Sequence, residues 1–140
     1  MAYDNQIVIK MDAKSQNESF ARMSVAAFVT ELNPTVADIT DIKTAVSEAV
    51  TNAIIHGYND ASGIVTLLLR LTGNEVYIEI TDDGIGIENI PEAMSPMFTS
   101  KPELERSGLG FTVMETFMDS LEVVSQIGKG TTVILRKNLS

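Results

Sequence analysis

Apolar and polar positions alternate over residues 6–11, the two-residue period of a half-buried strand. The period then lengthens. Ser15-Gln16-Asn17-Glu18 has the spacing of a capping box, and a helix is predicted from there to about residue 32, with Phe20, Met23, Ala27 and Phe28 on one face. Asn33-Pro34 ends it. A second helix is predicted to start within residues 35–38 and reach about residue 56, its apolar stripe being Ile39, Ile42, Val46, Ala49, Val50, Ala53 and Ile54, with Gly57 as its C′ stop. Residues 64–71 and 75–81 read as strands joined at Thr72-Gly73-Asn74. A third helix is predicted over 108 to about 121 from Phe111, Val113, Met114, Phe117 and Met118, and a second hairpin over 121–127 and 131–136, turned by Gly128-Lys129-Gly130.

Grouped helices and hairpin strands predict a two-layer α/β sandwich, a mixed and mostly antiparallel sheet covered on one face by helices. A doubly wound parallel sheet would need regular alternation and is disfavoured. The chain has 140 residues, 44% of them apolar, enough for one core, and no repeat or linker divides it, so a single domain over 1–140 is expected. Pro91, Pro96 and Pro102 fall within twelve residues, which denies a long helix. Residues 88–107 therefore read as a long loop and a lid candidate.

Charge and cysteine content narrow the function classes. Ten Lys and Arg against nineteen Asp and Glu give a net charge of −9, which disfavours nonspecific nucleic-acid binding and docking to anionic membrane. With no Cys there is no disulfide, thiolate nucleophile or cysteine-based metal site. The N-terminus lacks a basic secretory pattern and the longest apolar run is broken by Thr66 and Arg70, so a soluble, cytoplasmic protein is expected.

Three clusters could carry chemistry. Glu48, Asn52 and His56 recur every four residues, a stripe distinct from the apolar one; it is either a solvated helix face or a carboxylate and an amide oxygen turned together toward a hard cation. Asp82-Asp83-Gly84-Ile85-Gly86 follows a strand, and is either a turn or a carboxylate placed to accept from an exocyclic amine beside glycines that admit a ligand. Arg106-Ser107-Gly108-Leu109-Gly110 opens a helix, where free N–H groups and the dipole favour phosphate, although one G-x-G is weak by itself. The glycines at 128 and 130 read as a hairpin turn only. His56 is the sole histidine and reads as structural, and Met94, Met97, Met114 and Met118 read as adaptable packing under a lid.

Taken in order, the three clusters resemble the N, G1 and G2 boxes of the GHKL ATP-binding superfamily, and Asn-Ala-Ile-Ile-His-Gly-Tyr at 52–58 resembles its serine-kinase anti-sigma branch. The stretches 15–22 and 98–107 extend that resemblance over nearly the whole chain. It implies a Bergerat-type fold with ATP or ADP between helices and lid, and Asn52 as a ligand of Mg²⁺. Asp82 would accept the adenine amino group, Gly84 and Gly86 would make room for the base, and Thr131 would help hold it through water. Gly108 and Gly110 would present N–H groups to the phosphates, with Lys101 and Arg106 near the γ-phosphate and Thr99, Ser107 and Leu109 completing the nucleotide-contacting set. Glu48 would be the catalytic carboxylate toward a serine hydroxyl. The implied partners are a sporulation sigma factor of the sigma-F type, a small anti-anti-sigma protein as substrate, and a second copy of the chain in a homodimer. Glu18 and Arg22 on the first helix form the candidate partner surface, two charges that a solvated face explains equally well. The alternatives are a non-catalytic switch, in which ATP or ADP sets affinity for a partner and Glu48 is dispensable, and a sensor histidine kinase catalytic fragment.

Overall fold

The computed structural model describes residues 3–57, 63–84, 86 and 110–139. The expected lid at 88–107 lies outside them. Five strands form one sheet: β1 (Asn5–Asp12), β2 (Ile64–Thr72), β3 (Glu75–Asp82), β4 (Ser120–Gln126) and β5 (Gly130–Asn138). Their spatial order is β1-β2-β3-β5-β4. Every pairing is antiparallel, so the sheet expected to be mixed has no parallel pair among the described strands. The last hairpin enters with its second strand against the free edge of β3, leaving β4 at the border.

Alternation decides what the helices cover. Val65, Leu67, Leu69 and Leu71 on β2, Val76, Ile78 and Ile80 on β3, and Val133 and Leu135 on β5 are buried on one face. On the opposite face Arg70 stacks between the rings of Tyr3 and Tyr77, and Arg136 also lies over Tyr77. Helix α2 (Val36–Asn52) is central to the covering layer, with α1 (Asn17–Val29) and α3 (Gly110–Phe117) packed against it. Thr35 caps α2 by accepting the Asp38 N–H at 3.0 Å, and Ile42, Val46, Ala49 and Val50 of the predicted stripe are buried.

Three details differ from the pattern-based expectations. The capping box at Ser15–Glu18 does not form: the Ser15 carbonyl, not its hydroxyl, accepts the Glu18 N–H at 3.2 Å, and the Glu18 carboxylate turns toward Arg22. Helix α1 buries Ala21, Val25 and Val29, whereas Phe20 and Met23 are 58% and 57% exposed and Ala27 is also exposed. Apolar residues occur all round α1, so periodicity allows two faces, and close packing on α2 selects the one with the smaller side chains. Finally, α2 widens after Asn52 into a π-helical turn, Ala53–Gly57, in place of an α-helix continuing to residue 56.

Candidate functional site

Register builds one end of the site. Asp82, the last residue of β3, pairs with Thr131 on β5, and Thr131 pairs with Ser125 on β4, so the three lie in one row at the end of the sheet. Asp82 continues the core-facing set of β3 and is 4% exposed. Its Oδ1 accepts the Gly84 N–H at 2.9 Å, and the Thr131 N–H also donates to its carboxylate. Burial raises the Asp82 pKa above the usual carboxylate value, against the lowering effect of those two N–H donors, and the Asp83 charge adds to the rise. The Ser125 hydroxyl lies 3.0 Å from the Gly130 carbonyl and 2.7 Å from the Thr131 hydroxyl. With the Ser125 proton spent on that carbonyl, Thr131 donates to Ser125 and its own oxygen stays an acceptor.

Two glycines let backbone segments meet here. A Cβ on Gly86, whose φ is +80°, would lie 2.8 Å from the Gln126 carbonyl carbon and closer still to its oxygen. One on Gly130, at φ +90°, would lie 2.7 Å from Asp83 Cα and closer still to the Asp82 carbonyl oxygen. The space Gly86 clears is thus filled by the β4–β5 turn, which holds the segment after Asp82 in place. Gly130, expected to be a turn residue only, also governs strand packing, since without it β5 could not seat against Asp82. Gly128, at φ +79° with nothing near its missing Cβ, fits the simple turn reading.

The other end of the site is the polar face of α2. Glu48 and Asn52 are both half-buried and one helical turn apart, on the predicted stripe, and the π turn that follows Asn52 contacts β3 and β5. The structure therefore brings the C-terminal end of α2 toward the strands carrying Asp82 and Thr131. Gly110 is buried at the start of α3, and the predicted start at 108 lies outside the described residues. Thr99, Lys101, Arg106, Ser107, Gly108 and Leu109 lie outside the described residues. Glu18 and Arg22 form an i,i+4 pair at 3.7 Å on α1, and Arg22 lines a cavity of about 270 Å³ together with Thr40, Lys43, Thr44, Ser47 and Glu48 of α2. Sequence pattern does not single out Lys43 or Ser125, and it gives Gly130 no more than a turn. Ser125 and Gly130 become legible only when β4 and β5 are registered, while Thr40, Thr44 and Glu48 share a four-residue spacing visible in the sequence.

A two-layer sandwich with a buried carboxylate at the end of its third strand and a polar helix stripe beside it matches a known class. Residues 11–137 match the model of the histidine kinase-like ATPase domain, and this chain belongs to that family. Similar curated proteins include the anti-sigma F factor of Clostridium kluyveri, 62% identical over 135 residues with 96% of this chain and 95% of that protein covered. The anti-sigma F factor of Clostridium perfringens strain SM101 is 59% identical over 138 residues, covering 98% and 99%. Among solved structures, the RsbU and RsbW domains of Rv1364c from Mycobacterium tuberculosis align with a TM-score of 0.69 at 24% identity, over 97% of this chain and 32% of that longer one. The catalytic domain of histidine kinase ThkA aligns at 0.59 and 16% identity, over 95% and 96%. Both structural likenesses show the fold. Among the described residues no helix is long and apolar enough to cross a membrane.

Proposed function

We propose that this chain is an anti-sigma factor and ATP-dependent protein serine kinase, which sequesters a sporulation sigma factor of the sigma-F type and phosphorylates a serine of its anti-anti-sigma antagonist. The name shared by relatives at 59–62% identity supports the anti-sigma role. The observation that carries nucleotide binding is Asp82, a buried carboxylate held by the Gly84 and Thr131 N–H groups, with oxygen lone pairs remaining for an adenine amino group. Gly84 and Gly86 would border the base and Thr131 would reach it through water. Gly110, with Thr99, Lys101, Arg106, Ser107, Gly108 and Leu109, would complete the phosphate end.

No three acidic or histidine side chains among the described residues converge as a dedicated metal cage. One amide oxygen from Asn52 fits Mg²⁺, which keeps waters and takes substrate phosphates as ligands. Bound there, it would supply charge neutralisation that an acidic chain needs to accept a polyanion. Glu48 lies one turn from Asn52 and would face the incoming serine hydroxyl. A carboxylate is a weak base at neutral pH, and a loose phosphoryl-transfer transition state asks for little early proton removal, so its main role is to orient the hydroxyl for in-line attack. The serine oxygen bonds to the γ-phosphorus, the bond to the bridging oxygen of ADP breaks, and the hydroxyl proton passes to Glu48 late in the step. The working protein would be a cytoplasmic homodimer of single-domain chains with residues 88–107 as lid.

Mixing the purified chain with γ-labelled ATP, Mg²⁺ and the anti-anti-sigma protein of the same genome should place label on one serine of that protein. No label at any nucleotide concentration would overturn the kinase reading. Normal labelling by Glu48→Gln would overturn the role of Glu48 and favour the non-catalytic switch.

A further inference from the structure

Alternation on β5 places Thr131, Val133 and Leu135 on the buried face of the sheet, and the next position in that set is Lys137. A lysine is seldom buried unless it is paired. The Lys137 side chain is 13% exposed, and its ammonium donates to the Phe117 carbonyl at 2.9 Å and stands 3.8 Å from Asp41 Oδ2. Phe117 is the last residue of α3, where a helix leaves carbonyls that it cannot pair itself, and a cation there also suits the negative end of the helix dipole. Two further bonds hold the same corner: the Asp119 N–H donates to the Arg136 carbonyl at 2.9 Å, and Asp119 Oδ2 accepts the Asn138 N–H at 2.6 Å. Three consecutive residues of β5 thus fasten the exit of α3, and Lys137 extends that hold to α2.

We propose that Lys137 is a positioning residue for the phosphate end of the site: it sets the register of α3 on α2, so that the N–H groups at the start of α3 and the Glu48–Asn52 face of α2 meet the same phosphate chain. The inference rests on the nucleotide reading above. Lys137 joins Asp41 on α2 to Phe117 on α3, and the two helices pack on each other. Glu48 lies seven residues after Asp41 on α2, and Gly110 seven residues before Phe117 on α3, about 10.5 Å along each axis. Five residues of α2 precede Asp41 and eleven follow it, so most of the surface that α3 can cover lies toward Glu48 and Asn52. A clamp at one end therefore brings Gly110 abreast of them at the other. Thr131, on the same strand and face, lies six residues before Lys137, about 20 Å along β5. One strand thereby carries the adenine end of the site and the anchor of the phosphate-facing helix, and fixes the distance between them.

The test is calorimetric titration of ATP and of ADP, each with Mg²⁺, into the parent chain, Lys137→Met and Lys137→Arg. Methionine keeps the buried stem and removes the donor; arginine restores a donor. Lys137→Met should weaken ATP at least about tenfold and ADP by no more than about threefold, with stoichiometry still near one nucleotide per chain, because the nucleotide with more phosphates depends more on where α3 begins. Lys137→Arg should bind both within about threefold of the parent. Asp41→Asn leaves the Phe117 bond in place and should weaken ATP about threefold, which keeps the test open if Lys137→Met does not fold. Unchanged ATP affinity in Lys137→Met, a lower stoichiometry at parental affinity, or equal losses for ATP and ADP would make Lys137 structural only and overturn the inference, with nucleotide binding by the parent intact. Should Lys137→Met not fold, unchanged ATP affinity in Asp41→Asn overturns it. A parent that binds neither nucleotide overturns the nucleotide reading and this inference together.

Discussion

At the sheet end of the site, Asp82 is 4% exposed, fixed by strand register and held by two backbone N–H donors, and close backbone approaches at Gly130 and Gly86, to the Asp82 and Gln126 carbonyls, pack the segments around it. On the helix face, Glu48 and Lys43 are half-buried, and Arg22 holds Glu18 only at 3.7 Å. The first region is shaped by backbone and tolerates no added atom at Gly86 or Gly130; the second is made of side chains on a cylinder. This division suits a site that must hold one invariant small molecule rigidly and admit a macromolecule that arrives and leaves. On the proposed reading, rigid geometry at the sheet end would pre-organise the nucleotide, and adaptable side chains at the helix end would meet a partner of independent shape.

The sharpest way to separate the two regions is to damage each and read a different observable. Glu48→Gln should lower phosphoryl transfer at least a hundredfold, as expected for loss of a positioned carboxylate, with ATP affinity and denaturant midpoint unchanged. Single-turnover labelling beside nucleotide titration checks it; a parallel loss of stability would mean that Glu48 is structural. Gly130→Ala should do the reverse, costing about 3 kcal/mol of stability through overpacking and strain at φ +90°, while Gly128→Ala, with open space around it, should cost about 1 kcal/mol. Urea unfolding of the two proteins gives the difference, and equal losses would refute the account of how β5 seats.

Asp82→Asn gives the smallest change in stability and the most informative sign. Burial raises the Asp82 pKa, so the native state binds a proton more readily than the unfolded chain does. The contribution of Asp82 to stability is then greatest below the ordinary carboxylate range, near about pH 4, and declines as pH rises through the raised value. Asp82→Asn should remove that decline and be no less stable than the parent at neutral pH. Denaturant midpoints measured for both proteins from about pH 4 to 7 test this; a parent that gains stability from Asp82 over that range would show the carboxylate to be structural.

Much of this was legible beforehand, for reasons that differ by region. The β2–β3 hairpin and the buried stripe of α2 follow from strict periods, since a residue one position out of phase would land on the wrong face. The Glu48–Asn52 and Asp82–Gly86 clusters were legible as spacings, because glycine and carboxylate placements survive without knowledge of what packs on them. The exposed Phe20 and Met23 could not be foreseen, because an apolar residue does not say which of two faces its helix buries. The packing role of Gly130 was hidden for a related reason: its φ suits a turn, and only the neighbouring strand shows that its missing Cβ would occupy the Asp82 carbonyl. In the sequence Lys43 is one charge on a polar helix face, and that it lines the same cavity as Arg22 of α1 is visible only in the fold.

The central claim is that Asp82 and the α2 stripe together hold a magnesium-bound adenine nucleotide. Isothermal titration of ATP with Mg²⁺ into the parent chain and into Asp82→Asn tests it most directly. The account predicts saturable heat at one nucleotide per chain for the parent and an affinity at least tenfold weaker for Asp82→Asn, the loss expected for a hydrogen bond to a charged group. No heat from the parent, or equal affinity in both proteins, would contradict it.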